Sequence, residues 1–216
     1  MRKIIDNYSD LKVGPYFEIL SINSDEMTDA LHKQVKTLEI LSGMSEEEIL
    51  SLPIVEYHAM AVASHFLTKE LREDELHYDN VPKVIEVGGF KLVPLTDYDS
   101  MTIGQATDFA KYLRLGGFKY IIEAVACLLI PKGMKYQQGY SLDEVVSAIK
   151  ENLSVVDFFS LGGFYFGKFF RDIDKGVSLS KNEIEGLPDP EKKKSFLRKI
   201  KEVDEMLDQV KSMVLK

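Results

Sequence analysis

Apolar residues recur at three- and four-residue spacing along most of the chain and alternate clearly in one place only. The densest apolar block runs from Leu153 to Ile173 and holds Phe158, Phe159, Phe164, Tyr165, Phe166, Phe169 and Phe170. Each such ring can bury roughly 150–250 Å², so the block predicts a core helix with the rest of the chain built around it. The alternative is an exposed partner-binding face. Ser154 is placed to cap the helix, with Asp157 near the positive end of its dipole. Gly162, Gly163 and Gly167 each cost a helix about 1 kcal/mol relative to Ala, which predicts close packing against another element or a kink. Asp157 and Lys168 bracket a run shorter than the ~20 apolar residues of a membrane span.

Upstream, KVGPYFEIL predicts a short strand after Pro15. Ser24 is placed to cap a helix from Asp25, with Asp25 and Glu26 in its first turn. Met27, Leu31, Val35, Leu38 and Leu41 then share one face, and Gly43 ends the helix. Ser45 and Glu48 have capping-box spacing for a short helix. Ser51 and Pro53 open another over Ile54 to Leu71, carrying Met60, Ala61, Phe66 and Leu67. The charged stretch KELREDELHYDN reads as a helix end and a solvated loop.

The alternating segment begins near Val81. PKVIEV, Gly88-Gly89 and FKLVPL predict a β-hairpin with a two-residue turn. A turn at the two glycines pairs Val87 with Phe90 and Ile85 with Leu92 on one face, and Glu86 with Lys91 on the other. Pro94 ends the second strand or marks it as an edge. Thr102 and Gln105 form a capping box that opens a helix over IGQATDFAKYLRL, stopped by Gly116-Gly117. FKYIIEAVACLLI predicts a buried helix ending at Pro131, and KGMKYQQGY a loop. Ser141 and Glu144 open a further helix near LDEVVSAIK.

Beyond the aromatic block, Gly176, Gly186, Pro188 and Pro190 mark residues 174–190 as a linker. Residues 191–216 form one amphipathic helix by pattern. Its seam of Phe196, Ile200, Val203, Leu207, Val210 and Val214 alternates spacings of four and three, about three heptads long. A lone helix of that length is marginal in water, so it is expected to dock on its own domain, a second copy or another protein. These six residues are the candidate partner-binding or oligomer seam. The predicted fold class is mainly α with one β-hairpin (α+β). A helical part, 1–80, forms one domain with a hairpin-plus-helix part, 81–173, followed by the linker and the C-terminal helix.

Composition adds little chemistry. Hydrophobic residues are 45% and charged residues 29% of the 216, as in soluble globular chains. A net charge of −8 argues against a nucleic-acid or anionic-membrane partner. The start, MRKIIDNYSDLK, is interrupted by charge almost at once, unlike a signal peptide, and predicts a cytoplasmic protein. Cys127 is the only cysteine and lies in an apolar run, as a small core residue does. His32, His58, His65 and His77 are dispersed. His58 and His65, seven apart, lack the four-residue spacing and third ligand of a helical metal site. GGFYFG lacks the strand of a dinucleotide fingerprint and the Lys-Ser/Thr of a phosphate loop. Asp97 and Asp99 read as the lead-in to the cap at Thr102. The basic run Lys192, Lys193, Lys194, Arg198, Lys199 and Lys201 reads as a solvated helix face. No catalytic residue, metal site or cofactor is expected. An enzyme would need a convergent acid–base set in a cleft, such as a perturbed carboxylate pair.

Two segments resemble a known family. TLEILSGMSEEEILSLPIVEYHAMAVASHFL, residues 37–67, resembles a helix–turn–helix segment of tail assembly chaperones of tailed bacteriophages. FKLVPLTDYDSMTIGQATDF, residues 90–109, is similar to the hairpin and helix entry of the same proteins. YIIEAVACLLIPKG and the phenylalanine-rich block are similar to their later helices, so the likeness spans roughly residues 20–173. The helix after residue 190 is not part of that pattern. The resemblance implies a non-enzymatic assembly factor in the host cytoplasm. It would transiently bind an aggregation-prone tail protein such as the tape-measure protein, or else form a packaged component of the particle. Self-association into a homo-oligomer is compatible with either role.

Overall fold

The structure is a computed structural model and describes residues 4–69, 71, 76, 82–95, 100–115 and 120–163. Along the first part run α1 (Val13–Ser24), α2 (Ala30–Ser42), α3 (Glu46–Leu50) and α4 (Ile54–Ala63), the last continued by a 3-10 turn, Ser64–Thr68. The hairpin strands β1 (Ile85–Val87) and β2 (Phe90–Pro94) follow. Then come α5 (Ile103–Leu115), α6 (Ile121–Cys127), β3 (Leu129–Pro131) and α7 (Leu142–Asn152). Residues 155–163 are helical. The described chain is mainly helical with one small antiparallel sheet in the order β1-β2-β3.

The expected local signals are in place. Ser45 with Glu48 and Ser141 with Glu144 make full capping boxes. Thr102 N–H donates to Gln105 Oε1 at 3.0 Å, and Gln105 N–H returns to Thr102 Oγ1 at 3.2 Å. Gly43 ends α2 in the left-handed region, at φ 68°. The hairpin register pairs Ile85 with Leu92, Glu86 with Lys91 and Val87 with Phe90. Gly88 and Gly89 both have positive φ, 53° and 85°, the backbone of a type I′ turn. Lys91 Nζ lies 3.2 Å from Glu86 Oε1.

Four elements differ from expectation. KVGPYFEIL is the start of α1, not a strand. Pro15 falls in the first helical turn, where its missing N–H is not needed. Ser24 ends α1 and does not cap the next helix. Asp25 instead closes a local turn by accepting from Met27 N–H at 3.0 Å, and Asp29 caps α2 by accepting from His32 N–H at 2.9 Å. Met27 and Leu31 are therefore exposed, while Val35, Leu38 and Leu41 are buried. The helix expected from Ile54 to Leu71 is α-helical only to Ala63 and then tightens. Finally, FKYIIEAVACLLI is not one helix. α6 stops at Cys127, and β3 adds to the far side of β2, pairing Val93 with Ile130. Pro131 forces the residue before it into extended backbone, and the unpaired edge of β2 offers that backbone a partner. The expected lone hairpin is thus a three-stranded sheet, with Pro94 at the end of its middle strand.

Three apolar clusters hold the described chain together. The largest joins the sheet, α5, α6 and α7 around Leu92, Phe109, Ile122, Ile149 and Phe158. A second joins α2, α3 and α4 around Val35, Leu38, Ile49 and Met60. Leu11, Ile19, Leu41 and Val155 form a third cluster, fed by α1, α2 and the last helical residues. The aromatic block therefore begins as expected. Ser154 Oγ accepts from Asp157 N–H at 3.1 Å, and Val155, Phe158 and Leu161 are buried. Its part from residue 164 onward, the linker 174–190 and the helix 191–216 lie outside the described residues.

Candidate interaction surface

The six seam residues Phe196, Ile200, Val203, Leu207, Val210 and Val214 all lie outside the described residues, as do His77, Asp97 and Asp99. His32, His58 and His65 are exposed. Among the described residues no group of three or more His, Cys, Asp or Glu side chains is arranged to hold a metal ion. No helix among them is long and apolar enough to cross a membrane.

Among the described residues, a connected polar arrangement surrounds Cys127. Tyr136 Oη donates to Asp108 Oδ2 at 2.9 Å and sits 3.5 Å from Cys127 Sγ. Gln137 Nε2 donates to the same carboxylate oxygen at 3.0 Å, from a residue with φ +52°. Gln105 Nε2 donates to the Cys127 carbonyl at 3.3 Å. Burial pushes the Cys127 thiol up to about 11 and raises the Tyr136 phenol above its ordinary range. Both groups therefore stay protonated at neutral pH. A protonated thiol is a poor nucleophile, and a phenol held this high is no base. The cluster works as a clasp that fastens the loop after β3 onto α5 and α6.

The feature with reach toward solvent is apolar. Leu50, Ile54, Val55 and Val62 are 60%, 68%, 76% and 68% exposed, all on α3 and α4. Scattered exposed apolar residues are ordinary, but these fall within residues 50–62. The cause is the sequence of α4, IVEYHAMAVA, which is apolar nearly all round. Met60 and Ala61 take the inward face. Val55 and Val62 are seven residues apart, hence on one face, and they point away from Met60. A helix apolar on every side needs burial on every side, and the core covers only one. The excess is legible in the sequence of α4 itself, where Ile54, Val55 and Val62 are apolar besides the inward Met60 and Ala61.

Beside this stripe, Ile4, Met44, Leu52 and Met60 line a groove of about 370 Å³, together with Glu48 and Glu56. The face carries negative charge. Residues 44–67 include Glu46, Glu47, Glu48 and Glu56 and no Lys or Arg. Lys36 on α2 bridges Glu46 at 3.1 Å and Glu39 at 2.7 Å. Such a surface offers apolar contact with acidic flanks. No protein-family model, curated protein or solved structure matches the chain.

Proposed function

We propose that the chain is a non-enzymatic assembly factor of a tailed bacteriophage. It acts in the host cytoplasm as a tail assembly chaperone that transiently binds a tail protein such as the tape-measure protein. The observation that carries this reading is the outward apolar stripe of Val55 and Val62 on α4, flanked by Leu50 and Ile54. It falls inside residues 37–67, the segment that resembles those chaperones. An exposed apolar helix face is the chemistry a holding protein needs, because it covers a client's apolar surface without specific polar pairing. Protonated Cys127 and Tyr136 support the same reading, since the polar cluster around them serves to hold a loop.

Purified particles from the phage that encodes the chain test this directly. The chaperone leaves before assembly is complete, so mass spectrometry should find it absent or far below stoichiometric. Stoichiometric presence would overturn the proposal in favour of a packaged structural component.

A further inference from the structure

Two exposed surfaces of the chain are alike in apolar content and opposite in charge. The first is the outward face of α3 and α4. Its stripe around Val55 and Val62 is bordered by Glu47, one turn before the exposed Leu50 on α3, and by Glu56, next to Val55 on α4. Glu46 is answered by Lys36 at 3.1 Å. Among the described residues no Lys or Arg lies within ion-pair reach of Glu47 or Glu56.

The second surface is the loop between β3 and α7. Residues 132–141 hold Lys132 and Lys135 and no acidic residue. Both lysines are exposed, and among the described residues no carboxylate lies within ion-pair reach of either. Between them, Met134 is 46% exposed. Ile103, 87% exposed, opens α5 alongside, where a Cβ on its neighbour Gly104 would lie 4.0 Å from the Tyr136 ring. The loop is held in one shape. Lys132 N–H donates to the Lys91 carbonyl at 2.7 Å and Met134 N–H to the Pro131 carbonyl at 3.0 Å. Tyr136 and Gln137 fasten its far side to Asp108. A loop fixed in this way loses little freedom when it docks.

We infer that copies of this chain associate head to tail, with the loop around Met134 of one copy seated on the α3–α4 face of the next. Met134 and Ile103 meet the stripe of Val55 and Val62, and Lys132 and Lys135 stand opposite Glu47 and Glu56. Pairing α4 with α4 about a two-fold axis would instead bring two acidic edges together, with no Lys or Arg in residues 44–67 of either copy to separate them. Like charge across an interface selects against that arrangement. A patch that docks on a different patch builds a closed ring or an open chain, so assembly passes two copies. Exposed charge pairs are weak and screened by salt, so the contact forms at high protein concentration and yields the stripe to a tighter partner. That exchange rests on the proposed function, but the contact itself does not.

Sedimentation velocity of the full chain over a rising concentration series tests the contact. The wild type should pass from monomer to species larger than a dimer and return to monomer in high salt. Glu47→Lys/Glu56→Lys and Lys132→Glu/Lys135→Glu change exposed positions and should keep the wild-type urea midpoint. Each alone should stay monomeric where the wild type assembles. Their equal mixture should assemble again, because each variant carries the charge that the other lacks. Val62→Ser, which leaves every charge in place, should require a several-fold higher concentration. A wild type that stays monomeric throughout, or a mixture that does so, would overturn the inference. Assembly of the Lys132→Glu/Lys135→Glu chain alone would assign the stripe to a two-fold pairing and overturn it too. None of these results bears on the presence of the chain in purified particles.

Discussion

Lys12 and Ser154 face each other as an isolated antiparallel bridge that ties the entry of α1 to the entry of the aromatic block. Val13 N–H donates to the Leu153 carbonyl at 3.1 Å, and Val155 N–H donates to Leu11 at 2.9 Å. Lys12 Nζ adds a bond to the Asn152 carbonyl at 2.9 Å. This seam lets α1 lie close on α7, with Gly14 at the contact. A Cβ on Gly14 would come within 2.9 Å of the Lys150 carbonyl oxygen.

Gly14→Ala is therefore expected to destabilise the fold by about 1–3 kcal/mol, the usual cost of overpacking. A urea melt should show a lower midpoint at unchanged slope. An unchanged midpoint would show that the α7 backbone yields to the extra methyl.

Gln105 is a buried polar side chain, 1% exposed, with work at both ends. Its Oε1 caps Thr102 N–H and its Nε2 holds the Cys127 carbonyl. Gln105→Leu keeps the bulk and removes both bonds. The expected loss is about 1–3 kcal/mol, because two backbone groups lose their partner. Chemical denaturation measures it, and a loss below ~0.5 kcal/mol would mean that water replaces the side chain.

The buried thiol makes stability depend on pH in the alkaline range. Burial raises the Cys127 thiol from an ordinary value of 9.0 to about 11 in the folded chain. Between those values the unfolded chain has released this proton while the folded chain still holds it. Stability therefore falls as pH rises through that window, by on the order of 2 kcal/mol in all. The raised Tyr136 phenol acts in the same direction at higher pH. Urea melts from pH 8 to about 11 should show the decline, and Cys127→Ala should flatten its first part. A pH-independent midpoint in the wild type would contradict the assignment. In the same buried setting, the folded thiol should resist alkylation at pH 8 and react once urea unfolds the chain.

Val55 and Val62 face solvent, so Val55→Asp/Val62→Asp should leave stability within about 0.5 kcal/mol of wild type. A large loss would show that this face is already covered by another part of the chain. A thermal melt of the full-length variant distinguishes the two.

The features legible in the sequence are those whose cause is local. The boxes at Ser45, Thr102 and Ser141 need only two side chains three residues apart. The hairpin register follows from two glycines that tolerate positive φ. The features missed are those where distant residues decide. β3 forms because β2 has an open edge, which nothing in LLIP alone reveals. The start of α2 turns on competition among Ser24, Asp25 and Asp29, each a fair cap in isolation, and Asp29 wins. The exposed stripe of α4 was visible as excess apolar content, but which side is left bare depends on where α2 packs.

The proposed function has the chain work through apolar contact at α3–α4, and co-expression with the tape-measure protein that this proposal assigns as its client tests it most directly. With the wild-type chain, the tape-measure protein should appear in the soluble fraction and co-purify. With Val55→Asp/Val62→Asp, equally folded and equally expressed, it should return to the pellet. Equal rescue by both chains, or rescue by neither, would contradict the account.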